Sequence, residues 1–116
     1  MAIWPLVNGN YVISSPSWDN GEHIEAGAVT WGNGATGSAG VVDATNSLVG
    51  SSDGDRVGSA YFPVTALANG NYVVASPHWR STLGGTGAVT WGDGDTGIAG
   101  AVGEDEQVAR EEGAVR

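Results

Sequence analysis

The chain has 116 residues, with 13 acidic side chains, four arginines and a net charge of −9, and it contains neither cysteine nor lysine. Because a phosphate backbone is bound by clustered basic side chains, this charge excludes a nucleic-acid partner, and the lack of cysteine excludes disulfides and thiolate metal sites. No apolar run reaches the roughly 20 residues of a membrane helix, and the opening "MAIWPLVNG" lacks the basic start of a signal peptide. We therefore expect no membrane partner and no targeting signal in this chain.

The first half of the chain is predicted to consist of short strands joined by glycine turns. Asn8-Gly9 predicts a type I′ turn, which needs positive φ, after the strand end in "MAIWPLV". The segment "NYVISS" at 10–15 predicts a strand that ends before Pro16, because proline donates no ladder hydrogen bond. The later strands of this unit are expected in three segments: "GAVTW" at 27–31, "SAGVVDA" at 38–44 and its continuation "NSLVG" at 46–50.

The second half of the chain repeats the first. "LVNGNYVISSPSW" at 6–18 returns as "LANGNYVVASPHW" at 67–79, and "GAVTWGNGATGSAG" at 27–40 returns as "GAVTWGDGDTGIAG" at 87–100. The strand that opens the second copy is expected in "RVGSAYFPVTAL" at 56–67, and the strand after it is expected to end at Pro77. A repeat of about this length predicts a repeat architecture.

Four strands in a repeat of about 60 residues match the size of a β-propeller blade. Along "AVTW" neither face of the strand is charged, as expected of a sheet that neighbours cover on both faces. We therefore predict an all-β fold with two four-stranded propeller blades per chain. Residues 1–55 form the first blade, which is incomplete at its N-terminal strand, and residues 56–116 form the second. A β-sandwich monomer and a right-handed β-helix stay open as alternatives.

Two blades leave exposed sheet edges and faces, and repeat arrays usually need three or more units. We therefore expect the chain to close into a ring as a homo-oligomer, with six blades as a trimer favoured and eight as a tetramer next. The acidic segment "EDEQVAREE" at 104–112 is expected either to be a solvated tail or to complete the first blade of a neighbouring chain.

The stretch "DRVGSAYFPVTALANGNYVVASPHW" at 55–79 resembles an FG-GAP repeat, the blade of integrin α-subunit propellers and of many bacterial surface proteins. Asp55, Val57 and Gly58 stand where the family has Asp-x-Phe-Gly. "VVASP" at 73–77 stands for its Gly-Ala-Pro run, and 87–89 stands for the strand that follows. The resemblance implies a propeller fold and an extracellular or cell-surface parent protein.

Many FG-GAP blades hold calcium in the turn before the hydrophobic run. In this chain that turn is "NGN", at 8–10 and 69–71, which offers no carboxylate to an ion that prefers six to eight oxygen ligands. The "DGD" turns supply weaker candidate metal ligands: Asp53, Asp55, Asp93 and Asp95. We expect neither a metal ion nor another cofactor.

The sequence offers no constellation of catalytic residues. His23 and His78 lie at different points of the repeat, and Asp19, Glu22 and Glu25 share one loop that the second repeat lacks. A single loop does not set the separation that two catalytic carboxylates need. No nucleophile elbow, phosphate loop or zinc spacing occurs either. We therefore expect no enzyme activity.

The tryptophans are the best candidates for binding. Trp31 and Trp91 end the "GAVTW" strands and are predicted to pack between blades. Trp18 and Trp79 follow prolines in loops and, with Asn20 and Arg80, make a candidate sugar site, since sugars have apolar faces and hydroxyl rims. The sequence predicts a non-enzymatic, self-assembling scaffold or interaction module for a protein ligand. The alternative is a multivalent lectin whose weak sites are multiplied by the ring.

Overall fold

The computed structural model describes residues 2–38, 40–59, 63–80 and 86–102. Regular structure in these ranges is entirely β, which confirms the predicted all-β class. No helix in this part of the chain is long and apolar enough to cross a bilayer. The pairing predicted for the acidic segment 104–112 lies outside the described residues. We refer to residues 2–59 as repeat 1 and to residues 63–102 as repeat 2.

The eight strands found in the described ranges form two sheets, one centred on each repeat. Repeat 1 supplies an antiparallel meander of four strands: β1 (Ala2–Pro5), β2 (Tyr11–Ser15), β3 (Ala28–Gly32) and β4 (Ser47–Val49). Repeat 2 supplies a three-stranded antiparallel sheet: β5 (Val64–Ala66), β6 (Tyr72–Arg80) and β7 (Thr86–Gly92). The last strand, β8 (Gly100–Ala101), leaves repeat 2 and pairs in parallel with β4, so it extends the sheet of repeat 1 to five strands.

The first hairpin turn differs in type from the prediction. Leu6 N–H donates to the Asn10 carbonyl at 2.8 Å, and Gly9 N–H donates to the Leu6 carbonyl at 3.2 Å. Gly9 has a φ of 94°, but Asn8 is not among the described residues with positive φ, so the type I′ prediction is wrong. A glycine in the left-handed region that ends a turn of ordinary residues is typical of longer hairpin loops with a bulge.

Two strand predictions are also wrong. The segment 38–44 is not a strand in its described part, and the outer strand is Ser47–Val49 alone. Asp43 explains this, because its carboxylate accepts from Thr45 N–H at 2.9 Å, and such side-chain turns compete with strand pairing. Strand β6 does not end at Pro77 but continues to Arg80. The β6–β7 register shifts between Ser76 and Arg80, so Pro77 lies where the ladder is irregular.

Along the regularly paired segments, 11–15 with 28–32 and 72–76 with 88–92, alternate residues lie on opposite faces of each sheet, and both faces are uncharged. We call one the Tyr face; it carries Tyr11, Ile13 and Thr30 in repeat 1 and Tyr72, Val74 and Thr90 in repeat 2. We call the other the Trp face; it carries Val12, Ser14, Val29 and Trp31 in repeat 1 and Val73, Ala75, Val89 and Trp91 in repeat 2. The same residue types therefore occupy the same face in both repeats.

The core lies between the Trp face of repeat 1 and the Tyr face of repeat 2. Val12 and Val29 on the former are 0% and 1% exposed, and Tyr72 and Val74 on the latter are 1% and 0% exposed. One cluster joins buried residues from both repeats: Leu6, Val12, Val29, Leu48, Val57, Val64, Tyr72, Val74, Trp79, Ala88 and Val102. The two sheets thus stack face to face. The opposite face of each sheet is partly exposed, except that Ala28, Ser47 and Val49 on the Tyr face of repeat 1 are also buried.

Candidate functional site

One carbonyl group of repeat 2 collects several side-chain hydrogen bonds from repeat 1. The Gly94 carbonyl of repeat 2 accepts hydrogen bonds from three side chains of repeat 1: Trp31 Nε1 at 2.9 Å, Asn8 Nδ2 at 2.8 Å and Asn10 Nδ2 at 2.8 Å. Asn8 Nδ2 also lies 3.2 Å from Asp95 Oδ1. We call Asn8, Asn10 and Trp31 the donor half of this inter-repeat contact.

Local sequence builds both sides of the contact in the same way. In repeat 1 Asn10 Oδ1 accepts from Gly34 N–H at 2.9 Å, and in repeat 2 Asn71 Oδ1 accepts from Gly94 N–H at 2.9 Å. In each repeat the second asparagine of the "NGN" turn therefore fixes the later glycine turn, at Gly34 or Gly94, next to the "NGN" turn. Any side chain at Gly94 would collide with the backbone carbonyl of Gly70, so this close approach requires glycine.

Apolar packing completes the contact around Trp31. Gly97 lies directly against this ring, since a methyl group there would stand 2.5 Å from Trp31 Cβ. Ile98 packs on the core, and Val102 is 4% exposed and donates its N–H to the Val49 carbonyl at 2.9 Å. We call Gly94 and Gly97 the acceptor half of the inter-repeat contact, because they receive the groups of the donor half.

Burial also marks Tyr72 on the inner face of repeat 2. Desolvation by burial raises the pKa of its phenol to about 12, although a hydrogen bond with the Ile98 backbone acts in the opposite direction and lowers the pKa. The hydroxyl therefore stays protonated at neutral pH. The equivalent Tyr11 is only partly buried, and its hydroxyl shares a hydrogen bond with Ser38 Oγ at 3.2 Å. One position thus differs between the repeats only in what covers it.

Each repeat carries both halves of the contact, but among the described residues each uses only one of them. The acceptor half of repeat 1 is Gly34 and Gly37; Gly34 is exposed, and a methyl group at Gly37 would meet nothing within 4 Å. The donor half of repeat 2 is Asn69, Asn71 and Trp91, and Trp91 is 43% exposed. The prediction that Trp31 and Trp91 pack between sheets therefore holds within this chain for Trp31 alone.

The residues predicted to bind sugar are placed differently from one another. Trp79 is 9% exposed and belongs to the core cluster, whereas Trp18 is partly buried in a loop that Gly27 N–H closes by donating to the Trp18 carbonyl at 2.9 Å. Asn20 uses its amide to donate to the Gly50 carbonyl at 2.9 Å. The backbone of Arg80 ends β6 opposite Thr86. Carbohydrate binding by these four residues stays a prediction.

Three of the candidate metal ligands accept from backbone N–H groups, and the fourth, Asp95, accepts from the Asn8 amide. Asp55 is 1% exposed, and its carboxylate accepts from the N–H groups of Ser51 and Ser52 at 3.1 Å. Asp53 Oδ1 accepts from Ile24 N–H at 3.0 Å, and Asp93 Oδ1 accepts from Asp95 N–H at 2.8 Å. Across the described ranges, no group of three or more His, Cys, Asp or Glu side chains is placed to hold a metal ion.

The acidic loop of repeat 1 uses its side chains to hold its own shape. Glu25 Oε1 lies 3.3 Å from Arg56 Nη1, and Asp19 Oδ1 accepts from Glu25 N–H at 2.9 Å. His23 Nδ1 lies 3.5 Å from Asp53 Oδ1, with both side chains more than half exposed. This arrangement ties residues 19–25 to the turn at 53–56.

The sequence predicts the "NGN" segments as turns and does not by itself assign them to an interface. The order of the motifs nevertheless contains a sign of this interface. "NGN" and the later glycine triplet, "GNG" in repeat 1 and "GDG" in repeat 2, recur together at nearly the same spacing. A pair of turns that is duplicated with its neighbouring tryptophan indicates a repeated contact between units, because a turn alone does not require the tryptophan.

The stacked sheets and the shared contact define a β-repeat protein built from two copies of one unit. A family model described as "Repeat of unknown function (DUF5650)" matches residues 5–59 and again residues 66–107, and the chain belongs to this repeat family. No curated protein and no solved structure gives a significant match. The match confirms the predicted two-repeat architecture, and it does so through a family other than FG-GAP.

Proposed function

We propose that the chain is a non-enzymatic structural module that self-assembles by stacking its repeats on those of other copies. The observation that carries this proposal is the unequal covering of two nearly identical sheets. The Trp face is buried in repeat 1 and partly exposed in repeat 2. The Tyr face is buried in repeat 2, whereas in repeat 1 its outer part, with Tyr11, Ile13 and Thr30, is only partly buried, and its inner part, with Ala28, Ser47 and Val49, is buried. The two partly exposed faces, which we call the outward faces, are thus the same two surfaces that already pack against each other inside the chain.

The outward faces have the composition of a buried surface. Ile3, on the Tyr face of repeat 1, is 63% exposed, whereas its equivalent Val64 in repeat 2 is 6% exposed. Trp91 and Val73 lie side by side on the outward Trp face of repeat 2. Water-exposed apolar surface of this kind is favourably removed by contact with a complementary apolar surface.

A contact between different faces of identical chains is heterologous, and it closes into a ring when the rotation per copy allows it. The four-stranded meander of repeat 1 and the face-to-face stacking of the sheets are features of propeller blades. We therefore include in the proposal an FG-GAP-like propeller ring, with six blades as a trimer favoured over eight as a tetramer.

The proposal of a structural role, without catalysis, rests on how the polar side chains are used. In the described ranges, the carboxylates of Asp19, Asp53, Asp55 and Asp93 accept from backbone N–H groups, Asp95 accepts from the Asn8 amide, and Glu25 pairs with Arg56. The side chains of Asn8 and Asn10 both donate to the Gly94 carbonyl of the second repeat.

Light scattering behind a sizing column, at two protein concentrations, tests this function. At the higher concentration we expect a mass of three or four times the 11.7 kDa of one chain. Ile24→Ala is the control, because Ile24 is an exposed hydrophobic side chain, 60% exposed, that lies on a loop and on neither sheet face; this variant should keep the same mass. A mass of one chain at both concentrations would overturn the proposal.

A further inference from the structure

We infer that a second copy of this chain docks head to tail through a repetition of the inter-repeat contact. Asn69, Asn71 and Trp91 of one copy form the donor half, and Gly34 and Gly37 of the next copy form the acceptor half. This inference rests on the proposed function, and it deepens that proposal by naming the surface, the partner and the polarity of the assembly. It also predicts that the Trp91 indole N–H donates to the Gly34 carbonyl of the neighbouring copy.

The equivalence of the two contacts follows from matched geometry. Asn69 and Asn71 occupy the turn positions of Asn8 and Asn10, since Asn69 Oδ1 accepts from Asn71 N–H at 3.0 Å as Asn8 Oδ1 accepts from Asn10 N–H at 3.1 Å. Trp91 stands opposite Val73 in the same register in which Trp31 stands opposite Val12. The donor half of repeat 2 is therefore already shaped as the donor half of repeat 1.

The acceptor half of repeat 1 is preformed in the same sense. Gly37 has a φ of 78° and Gly97 a φ of 81°, and each donates its N–H across its turn at 2.7 Å, to Asn33 and Asp93 respectively. Trp31 packs against Gly97, whereas a methyl group at Gly37 would meet no atom within 4 Å. Val41, the equivalent of Ala101 in β8, is 80% exposed on the same repeat.

The differences between the repeats make the contact between copies weaker than the contact within the chain. Ala35 stands where Asp95 stands in repeat 2, so the hydrogen bond from Asn8 to Asp95 has no counterpart. Ser38 replaces Ile98, which packs on the core, so the contact between copies also buries less apolar surface. We therefore expect association that depends on concentration, with a folded monomer at the low end.

Cysteine cross-linking tests the inference directly, because the natural chain contains no cysteine. The variant Ala35→Cys/Asn69→Cys places thiols at the two positions that the inference brings together between copies. The matched control Asn8→Cys/Asp95→Cys places thiols at the equivalent positions within one chain, whose side chains are 3.2 Å apart. Each variant is treated with a short bis-maleimide and separated on a denaturing gel. The reagent joins two nearby thiols without the strict geometry that a disulfide requires.

We expect the first variant to give covalent multiples of the chain and the control to give a cross-link inside a single chain. If light scattering shows an oligomer but the first variant gives no product between chains, self-assembly stands and this surface is the wrong one. If the chain is a monomer at every concentration, the proposed function fails together with the inference. If the control does not cross-link internally, the inter-repeat contact that serves as the template is absent, and the inference fails.

A second variant keeps the test independent of cysteine chemistry. Gly37→Ala adds one methyl group at the point where Trp91 of the neighbouring copy is expected to lie. We expect the apparent dissociation constant between copies to rise at least about tenfold, as for a blocked pocket around a tryptophan anchor, while far-ultraviolet circular dichroism stays unchanged. An unchanged dissociation constant with the fold intact would overturn the inference.

Discussion

The variant Trp31→Ala is expected to lower the free energy of unfolding by about 3 kcal/mol, since it removes a large partly buried ring and leaves a cavity between the repeats. Its equivalent, Trp91→Ala, is expected to cost less than about 1 kcal/mol in the monomer, because exposed aromatic surface contributes little to folding. Trp31 packs on the core and donates to Gly94, whereas Trp91 is 43% exposed. The measurement is urea unfolding followed by circular dichroism, at a concentration at which the chain is monomeric.

The pair is a matched comparison, because both tryptophans end the same strand in the same sequence "GAVTW". The two substitutions therefore change strand propensity and side-chain chemistry equally. The difference between their unfolding free energies reports only on what covers each ring. Equal losses for the two variants would contradict the stacking of repeat 2 on the Trp face of repeat 1. At higher protein concentration the Trp91 variant should lose more stability, since association adds to the stability of the folded state.

The variant Gly97→Ala is expected to lower the free energy of unfolding by about 3 kcal/mol, and Gly37→Ala by about 1 kcal/mol. Both glycines have the positive φ that disfavours a side chain, so both substitutions carry the same backbone strain. Only at Gly97 does the added methyl group also meet Trp31, 2.5 Å from its Cβ. Thermal unfolding of both variants at low concentration measures the difference.

The turn itself provides the control in this second comparison. Gly37 and Gly97 close equivalent turns with N–H donors at the same 2.7 Å, so a fault in the turn would appear in both variants. A Gly97→Ala variant as stable as Gly37→Ala would mean that Trp31 moves aside freely and that the repeats are not tightly stacked.

Much of the fold could be predicted from the sequence because it depends on local chemistry. Glycine turns, uncharged "AVTW" strands and the duplicated stretches predict an all-β repeat protein, and these features depend on residues close together in the chain. The wrong strand ends have equally local causes that a pattern does not weigh. Asp43 holds its own turn by accepting from Thr45, and Pro77 sits in an irregular part of β6.

The site could not be predicted in the same way, because it depends on which faces are covered. Trp31 and Trp91 have the same local sequence, and nothing near them in the chain states that one meets Gly97 and the other meets solvent. Trp79 joins the core because β6 continues beyond Ser76, whereas β2 ends at Ser15 and leaves Trp18 in a loop. Long-range stacking of the sheets therefore decides both the interface and the fate of the predicted sugar-binding residues.

The uncharged faces, however, were an informative signal. A sheet with no charge on either side is expected to be covered on both sides. Within one chain each sheet is fully covered on one side, by the other sheet, and only partly covered on its second side. This mismatch between composition and burial motivates the proposed assembly. The Tyr face of repeat 1 and the Trp face of repeat 2 are the two surfaces that the sequence predicts to be covered and that a single chain leaves partly exposed.

Hydroxyl-radical footprinting of Trp31 and Trp91, read by mass spectrometry over about a hundredfold range of protein concentration, tests the central claim most directly. The claim is that these two rings occupy equivalent contacts, one made within the chain and the other made between copies. We predict that Trp91 is oxidised several times faster than Trp31 at the lowest concentration and falls to the rate of Trp31 at the highest. A Trp91 rate that stays high while the mass of the particle rises would contradict this claim.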